Sequence, residues 1–230
     1  MLIEHGGVRL LTDPVLRRRV VHLRRHPPLP DAPPRVDAVL LSHLHFDHLD
    51  LPSLRALDPG TRILAPRGAG GFLLKAGLRR VEELAAGDRA DVGGVIVNAT
   101  PAEHDAGRRP FGPRAQPLGF ISAAEHSVYF AGDTDLFAGL EELPRVDVAL
   151  LPVAGWGRKL GPGHLDPARA ARAAALLRPR IAVPIHWGTL YAGRRGSWFT
   201  EPPHAFAAQV AERAGGVAVR VLAPGQSFEL

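Results

Sequence analysis

Leu41-Ser42-His43-Leu44-His45-Phe46-Asp47-His48-Leu49-Asp50 is the stretch that decides how this chain reads. Three histidines and an aspartate fall within six residues, between apolar positions that bury well. Packing alone does not explain such a cluster, because each of these side chains is costly to bury unpaired. A metal ion removes the cost. Imidazole and carboxylate are the ligands that zinc and similar divalent ions accept when thiolate is absent, and the chain has no cysteine. In an extended segment His43 and His45 project to one side, because side chains alternate with period two. They can grip one ion, and Asp47-His48, past the turn, can face a second.

Outward from this stretch, other potential ligands also follow predicted strands. The run Val36–Leu41 precedes the motif, Val95–Ala99 precedes His104, and Val128–Ala131 precedes Gly132-Asp133-Thr134. Ile181–Ile185 precedes His186, and Val146–Val153 precedes a glycine-rich loop ending at His164. Strand ends are rigid supports for a site, while the loops beyond them vary. A carboxylate such as Asp133 can bridge two cations. Two ions about 3.5–4 Å apart lower the pKa of a shared water and clamp attacking and leaving oxygens. His5, His22, His26, His126 and His204 read as incidental.

Further strands are predicted at Leu10-Leu11, Ile63–Ala65, Gly119–Ile121 and Val217–Leu222. Helices are predicted at Leu51–Leu57, at Ala168–Leu177 behind the cap Asp166-Pro167, and at Pro202–Ala214 before Gly215-Gly216. The proline-rich stretch Arg24–Arg35 reads as an irregular loop. Many strands with interspersed helices suggest two packed sheets with helices outside. The 230 residues, 46% hydrophobic and 22% charged, fit one domain spanning 1–230 that needs no disulfide or metal to fold. No apolar run approaches the ~20 residues of a membrane span. With no cysteine and no signal-peptide pattern, the expected location is cytoplasmic.

The formal charge is +5, and among the 28 basic residues only Lys75 and Lys159 are lysines. Arg108, Arg109 and Arg114, with Arg158, Lys159, Arg194 and Arg195, fall in predicted loops. Near a dimetal centre they suit a small anionic substrate, with Trp156 and Trp187 as further substrate-binding candidates. These basic residues are scattered rather than striped along one element, so no nucleic-acid partner is assigned.

The motif His43-x-His45-x-Asp47-His48, then His104, Gly132-Asp133-Thr134 and His186, resembles the metallo-β-lactamase superfamily in the right order over almost the whole chain. Thr12-Asp13-Pro14, Ala131-Gly132-Asp133-Thr134 and Pro184-Ile185-His186-Trp187-Gly188-Thr189 are similar to the branch holding N-acyl-phosphatidylethanolamine phospholipase D and ascorbate-6-phosphate lactonase. The resemblance implies an α/β fold, a four-layer αββα sandwich of two mixed sheets. It also implies two divalent ions, zinc first and manganese as the alternative. His43, His45 and His104 would hold one ion, Asp47, His48 and His186 the other, with Asp133 bridging. Asp13 would orient a ligand histidine, and His164 would lie near substrate.

The implied function is hydrolysis of an ester-type bond, such as a phosphodiester or lactone, by a metal-bridging hydroxide. Asp133, His164 and Asp47 would be the catalytic side chains. Histidine at position 45, where oxidases of the superfamily carry glutamate, favours hydrolysis. A nuclease or nucleic-acid-binding protein of this fold, or a non-catalytic metal-binding module, are the alternatives.

Overall fold

A computed structural model describes residues 1–108 and 112–230. The first sheet contains β1 (Leu2–His5), β2 (Val8–Thr12), β5 (Ala38–Leu40), β6 (Arg62–Pro66) and β7 (Val81–Leu84), in that spatial order. β1 and β2 are antiparallel, and β2, β5, β6 and β7 run parallel. Two short helices follow β5 and β6, α1 (Leu51–Arg55) and α2 (Gly70–Lys75).

The second sheet has β8 (Arg89–Val92), β9 (Val95–Pro101), β10 (Leu118–Ala123), β11 (Ser127–Phe130), β12 (Val148–Pro152), β13 (Ile181–Ile185) and β15 (Ala218–Val219). Its spatial order is β15-β13-β12-β11-β10-β9-β8. The half from β8 to β11 is antiparallel and the half from β11 to β15 is parallel. Helices α3 (Pro167–Leu177) and α4 (Pro202–Arg213) lie on its outer side. A small third sheet joins β3 (Arg19–Val20), β4 (Leu23–Arg25) and β14 (Leu190–Tyr191) in the order β14-β4-β3.

The layers follow from alternation along the strands. Ala38 and Leu40 face the second sheet and pack with Val97, Phe120 and Leu150. Val39 and Leu41 face outward to Leu54 of α1 and Leu73 of α2. In the second sheet, Phe120 and Phe130 point inward, whereas Ile121 and Tyr129 point toward α3 and α4, against Ala170, Ala174 and Phe206. The central strands β5, β10, β11 and β12 are therefore buried on both faces and read as continuous apolar runs, whereas β1, β8 and β9 alternate buried and exposed residues. The result is the expected αββα sandwich.

Several boundaries differ from expectation. The run 36–41 forms ladder pairs only at Ala38–Leu40. Val217–Leu222 contributes only Ala218–Val219, which pairs with β13 at the sheet edge. The proline-rich stretch from Arg24 begins inside β4 rather than in a loop, because Arg24 and Arg25 pair with Tyr191 and Leu190. α3 begins where its cap was predicted, with the Asp166 side chain accepting from the Arg169 N–H at 2.8 Å.

β2 and β5 of the first sheet run parallel, as do β9, β11, β12 and β13 of the second. Their C-terminal ends carry Asp13, the 43–48 motif, His104, Asp133 and His186, and these meet at one edge of the sandwich.

Candidate metal centre

The 43–48 motif spans the gap between β5 and α1. The Leu49 N–H donates to the His45 carbonyl at 2.8 Å, closing a tight turn. Asp50 then caps α1 by accepting from the Ser53 N–H, and it also takes a two-pronged contact from Arg17 at 2.9 and 2.6 Å. Arg108 reaches in from the other side, donating to the Leu44 and Leu49 carbonyls at 2.7 and 3.0 Å and stacking on Phe46. The motif is thus pinned at both ends.

Among the described residues four overlapping groups of potential ligands result, and within each the ligand atoms lie within 4.8 Å of one another. Two of them also draw on Asp13 or on Asp133 with His164, and the other two hold the predicted ligand triads. The first is His43, His45 and His104, with ring centroids 4.6–4.8 Å apart. The second is Asp47, His48 and His186, where His48 Nε2 lies 3.0 Å from His186 Nε2. Asp133 stands between them, its Oδ2 3.2 Å from His48 Nε2 and 3.4 Å from His186 Nε2. All the predicted ligands are therefore brought together.

The outer contacts decide which ring nitrogen faces inward. The Nδ1 of His104 meets the Gly163 carbonyl at 2.7 Å, and that of His186 meets the Ala154 carbonyl at 2.9 Å. A carbonyl only accepts, so each Nδ1 carries the proton and each Nε2 presents a lone pair. His48 Nδ1 donates likewise to Asp13 Oδ2 at 2.7 Å. Ser42 Oγ spends its proton on Asp13, so it accepts from His43 Nδ1 at 2.9 Å. His45 is the exception and turns Nδ1 toward His104 Nε2, at 3.1 Å.

Four Nε2 atoms face inward beside buried carboxylates, and those carboxylates draw positive charge to the spot, as protons on His48 and His186 or as a cation in their place. His43 Nε2 and Asp133 Oδ1 are buried without a hydrogen-bond partner. The two facing lone pairs of His48 and His186 repel unless a proton or cation lies between them. The donor set, imidazole with carboxylate and no thiolate, fits borderline divalent ions.

Electrostatics divides the two groups. Burial pushes the His43, His45 and His104 imidazoles down, His104 to about 4, so all three are neutral near pH 7. Burial also opposes charge on His48 and His186, but Asp133 and Asp47 outweigh it and both are pushed up. The same pairing overcomes the burial of Asp47 and holds its carboxyl at about 2, and His186 and His48 hold Asp133 well below the usual range. Both carboxylates are ionised and ready to ligate.

Among the described residues, two of the four non-glycine residues with positive φ lie here. Asp13 has φ +40° and His186 φ +60°, unusual for residues with a side chain. Such strain marks functional sites and costs about 1–3 kcal/mol per residue. Gly132 has φ +62°, and a Cβ there would lie 2.5 Å from Ser42 Cβ. Only glycine lets β11 turn Asp133 into the site. Asp13 is also grouped with His43 and His48 as a potential ligand set. Its two oxygens, however, are taken by the Ser42 N–H and hydroxyl and by His48 Nδ1, so it orients ligands rather than facing the centre.

His164 donates Nδ1–H to the Gly161 and Pro162 carbonyls and turns Nε2 toward Asp133 Oδ2 at 3.5 Å. Its ring lies 4.6 Å from His104. Beside the second group opens a cavity of about 330 Å³, with Asp47, His48, Asp133 and His186 in its lining. Its walls include Leu16, Trp156, Trp187 and Leu190, and Arg25 also lines it.

The substrate-binding candidates fare differently. Trp156 and Trp187 line the cavity, with the Trp187 indole tied to the Pro184 carbonyl at 2.9 Å. Arg108 does not reach the cavity. It is buried, and its guanidinium is engaged by backbone carbonyls of the motif, so its placement there is corrected to a bracing role. Arg114 is exposed, bridges to Gly107 and is absent from the cavity lining. Arg109 lies outside the described residues. Two contributors were missed in sequence. Ser42 carried no signal, since one serine beside a histidine is ordinary. Arg25 was hidden in what read as an irregular loop.

Residues 8–187 match the family described as Beta-lactamase superfamily domain. A UPF0173 metal-dependent hydrolase of Aeropyrum pernix is 32% identical, over 99% of this chain and 92% of its own length. UPF0173 metal-dependent hydrolase MK1542 of Methanopyrus kandleri is 31% identical, over 99% and 94%. Among solved structures, Igni18, a novel metallo hydrolase from Ignicoccus hospitalis, superposes with a TM-score of 0.74 at 27% identity, covering 100% of this chain and 94% of its own. The chain belongs to the β-lactamase superfamily, with UPF0173 metal-dependent hydrolases as its homologues.

Proposed function

We propose that the protein is a metal-dependent hydrolase acting on an ester-type bond of a small molecule, with two divalent cations, zinc first, at the 43–48 centre. The observation that carries this reading is the pair of buried, unpartnered atoms, His43 Nε2 and Asp133 Oδ1, set among inward-facing lone pairs. Among the described residues nothing satisfies them, and a cation would. The full-length likeness to metal-dependent hydrolases supports the same conclusion. We read the whole of residues 1–230 as the unit that builds the site, since both sheets contribute ligands.

His43, His45 and His104 would hold one cation, Asp47, His48 and His186 the other, and Asp133 would contact both. When bound, such ions supply a lowered water pKa and neutralise the charge that develops on the attacked centre. The chain's own residues do the rest. Asp13 and the Gly163 and Ala154 carbonyls lock the imidazoles in one tautomer. Trp156, Trp187 and Leu190 form an apolar wall that holds the substrate body and excludes water. The cavity's size suits a small molecule. His164 Nε2, beside Asp133 and partly exposed, would return a proton to the leaving group.

Alanine at His45 or at Asp133 is expected to lower turnover on phosphodiester, lactone and thioester substrates by about 10²-fold or more, with the circular dichroism spectrum unchanged. Metal content measured on the same samples should fall in step. Full activity and full metal content in both variants would overturn the proposal. Metal uptake without turnover on any of these substrates would favour a non-catalytic module.

A further inference from the structure

Several arginines that are dispersed in sequence converge on the small third sheet. Arg19 of β3 pairs directly with Arg24 of β4, and Arg24 pairs with Tyr191 of β14. Directly opposed residues share a face, so one row across the sheet reads Arg19, Arg24, Tyr191. Both arginines are exposed, whereas their strand neighbours Val20 and Leu23 are buried on the opposite face. The Arg195 guanidinium lies 5.4 Å from the Tyr191 ring centre.

Two depressions flank the row. One is lined by Arg18, Arg19 and Arg24, and the other by Arg194 and Arg195, with His26 and Tyr191 shared between them. Among the described residues, no carboxylate lines either one. Among the described residues, none of these five arginines enters an ion pair. Arg25, the next residue along β4, lines the first depression and also the cavity beside the metal centre, so the two are neighbours.

Solvated surface charge is the plain alternative. It does not account for two like charges set directly opposite on a two-residue ladder, an arrangement that destabilises a sheet. An anion shared between the guanidiniums reverses that cost. The planar fork of arginine matches the oxygens of phosphate and binds them in pairs. The shallow, arginine-lined form suits a compact oxyanion.

We propose that the Arg19–Arg24–Tyr191 face is a binding subsite for a phosphate-class oxyanion, next to the metal cavity that Arg25 also borders. The oxyanion is either a phosphate group carried by the substrate or free inorganic phosphate. Only the first source rests on the hydrolase reading.

The test is calorimetric titration of inorganic phosphate and pyrophosphate at low salt into chelator-stripped protein, where the metal centre cannot retain them. Arg24→Gln and, independently, Arg19→Gln are each expected to weaken binding by about tenfold, and sulfate should compete where chloride does not. Both side chains are exposed, and a melting curve no lower than wild type confirms folding in at least one variant. Affinity within about twofold of wild type in both variants, or displacement by chloride as effective as by sulfate, overturns the subsite and leaves solvated charge only.

Kinetics separates the sources. A higher KM in Arg24→Gln for a phosphate-bearing ester, but not for an uncharged one, assigns the subsite to substrate. Lost phosphate binding with unchanged KM for both assigns it to the free ion. If no ester is hydrolysed at all, the hydrolase reading fails while the titration still decides the subsite.

Discussion

One carboxylate, that of Asp13, takes the Ser42 N–H, the Ser42 hydroxyl and His48 Nδ1, and so fixes two of the imidazoles at once. Asp13→Ala is expected to leave the fold intact and to weaken metal binding by about 10–100-fold, read by competition with a chromophoric chelator. An unchanged affinity would show that Asp13 only supports the turn. Arg108 works on the backbone instead. Its replacement by alanine strands the Leu44 and Leu49 carbonyls, and a loss of about 1–3 kcal/mol is expected in urea unfolding. An unmoved midpoint would contradict the bracing role. Sequence made the candidate ligands legible as a cluster because histidine and aspartate packed so densely have few other uses. It could not place Arg108, whose carbonyl partners lie 64 and 59 residues away. A loop arginine looks the same whether it faces a substrate or a backbone.

Among the elements, β5, β11, β12 and β13 were readable because burial on both faces gives them apolar runs, and β9 because Val95-Ile96-Val97 is β-branched with alternate residues buried. β3, β4 and β14 were not, since strands of two or three residues, the first two carrying arginine, owe their form to neighbours rather than to propensity. α2 opens on Gly70-Gly71, which reads as a turn. The turn after β11 depends on Gly132. Gly132→Ala should cost at least ~1–2 kcal/mol from the left-handed backbone alone, and it should also reduce metal retention by displacing Asp133. A thermal melt with metal analysis checks both, and a variant indistinguishable from wild type in each would refute the requirement.

Asp147 ties β11, β12 and β13 together. It accepts from the Ser127 N–H and hydroxyl at 2.9 and 3.1 Å and from Arg180 at 3.2 Å. The Ser127 N–H, then Arg180, hold its carboxyl below the usual carboxylate range against the effect of burial. A depressed folded pKa contributes stability above the unfolded value, about 3.9, and that stability is lost as pH falls through the folded one. Asp147→Asn should therefore be less stable than wild type at neutral pH and should converge with it in acid. A gap in urea midpoint that stays constant across pH would contradict this.

At the scale of the whole molecule, parallel strands from two sheets end at one edge, and that shared edge turns separate sequence motifs into a single centre. The order of motifs along the chain was enough to expect this sandwich. The gathering of charge was not, because Arg19 and Arg24 meet Tyr191 only through pairing with β14, far along the chain. Metal should also matter to the whole fold. Chelation is expected to lower the melting temperature, since cations that bind only the folded chain stabilise it by mass action. The most direct measurement is metal stoichiometry by mass spectrometry after stripping, reloading with Zn2+ and removing excess ion, run on wild type and His45→Ala. Two cations per wild-type chain and about one in the variant are expected. A folded wild-type chain that retains none, or a variant that retains as many as wild type, would contradict a paired-cation centre built on His43–His48.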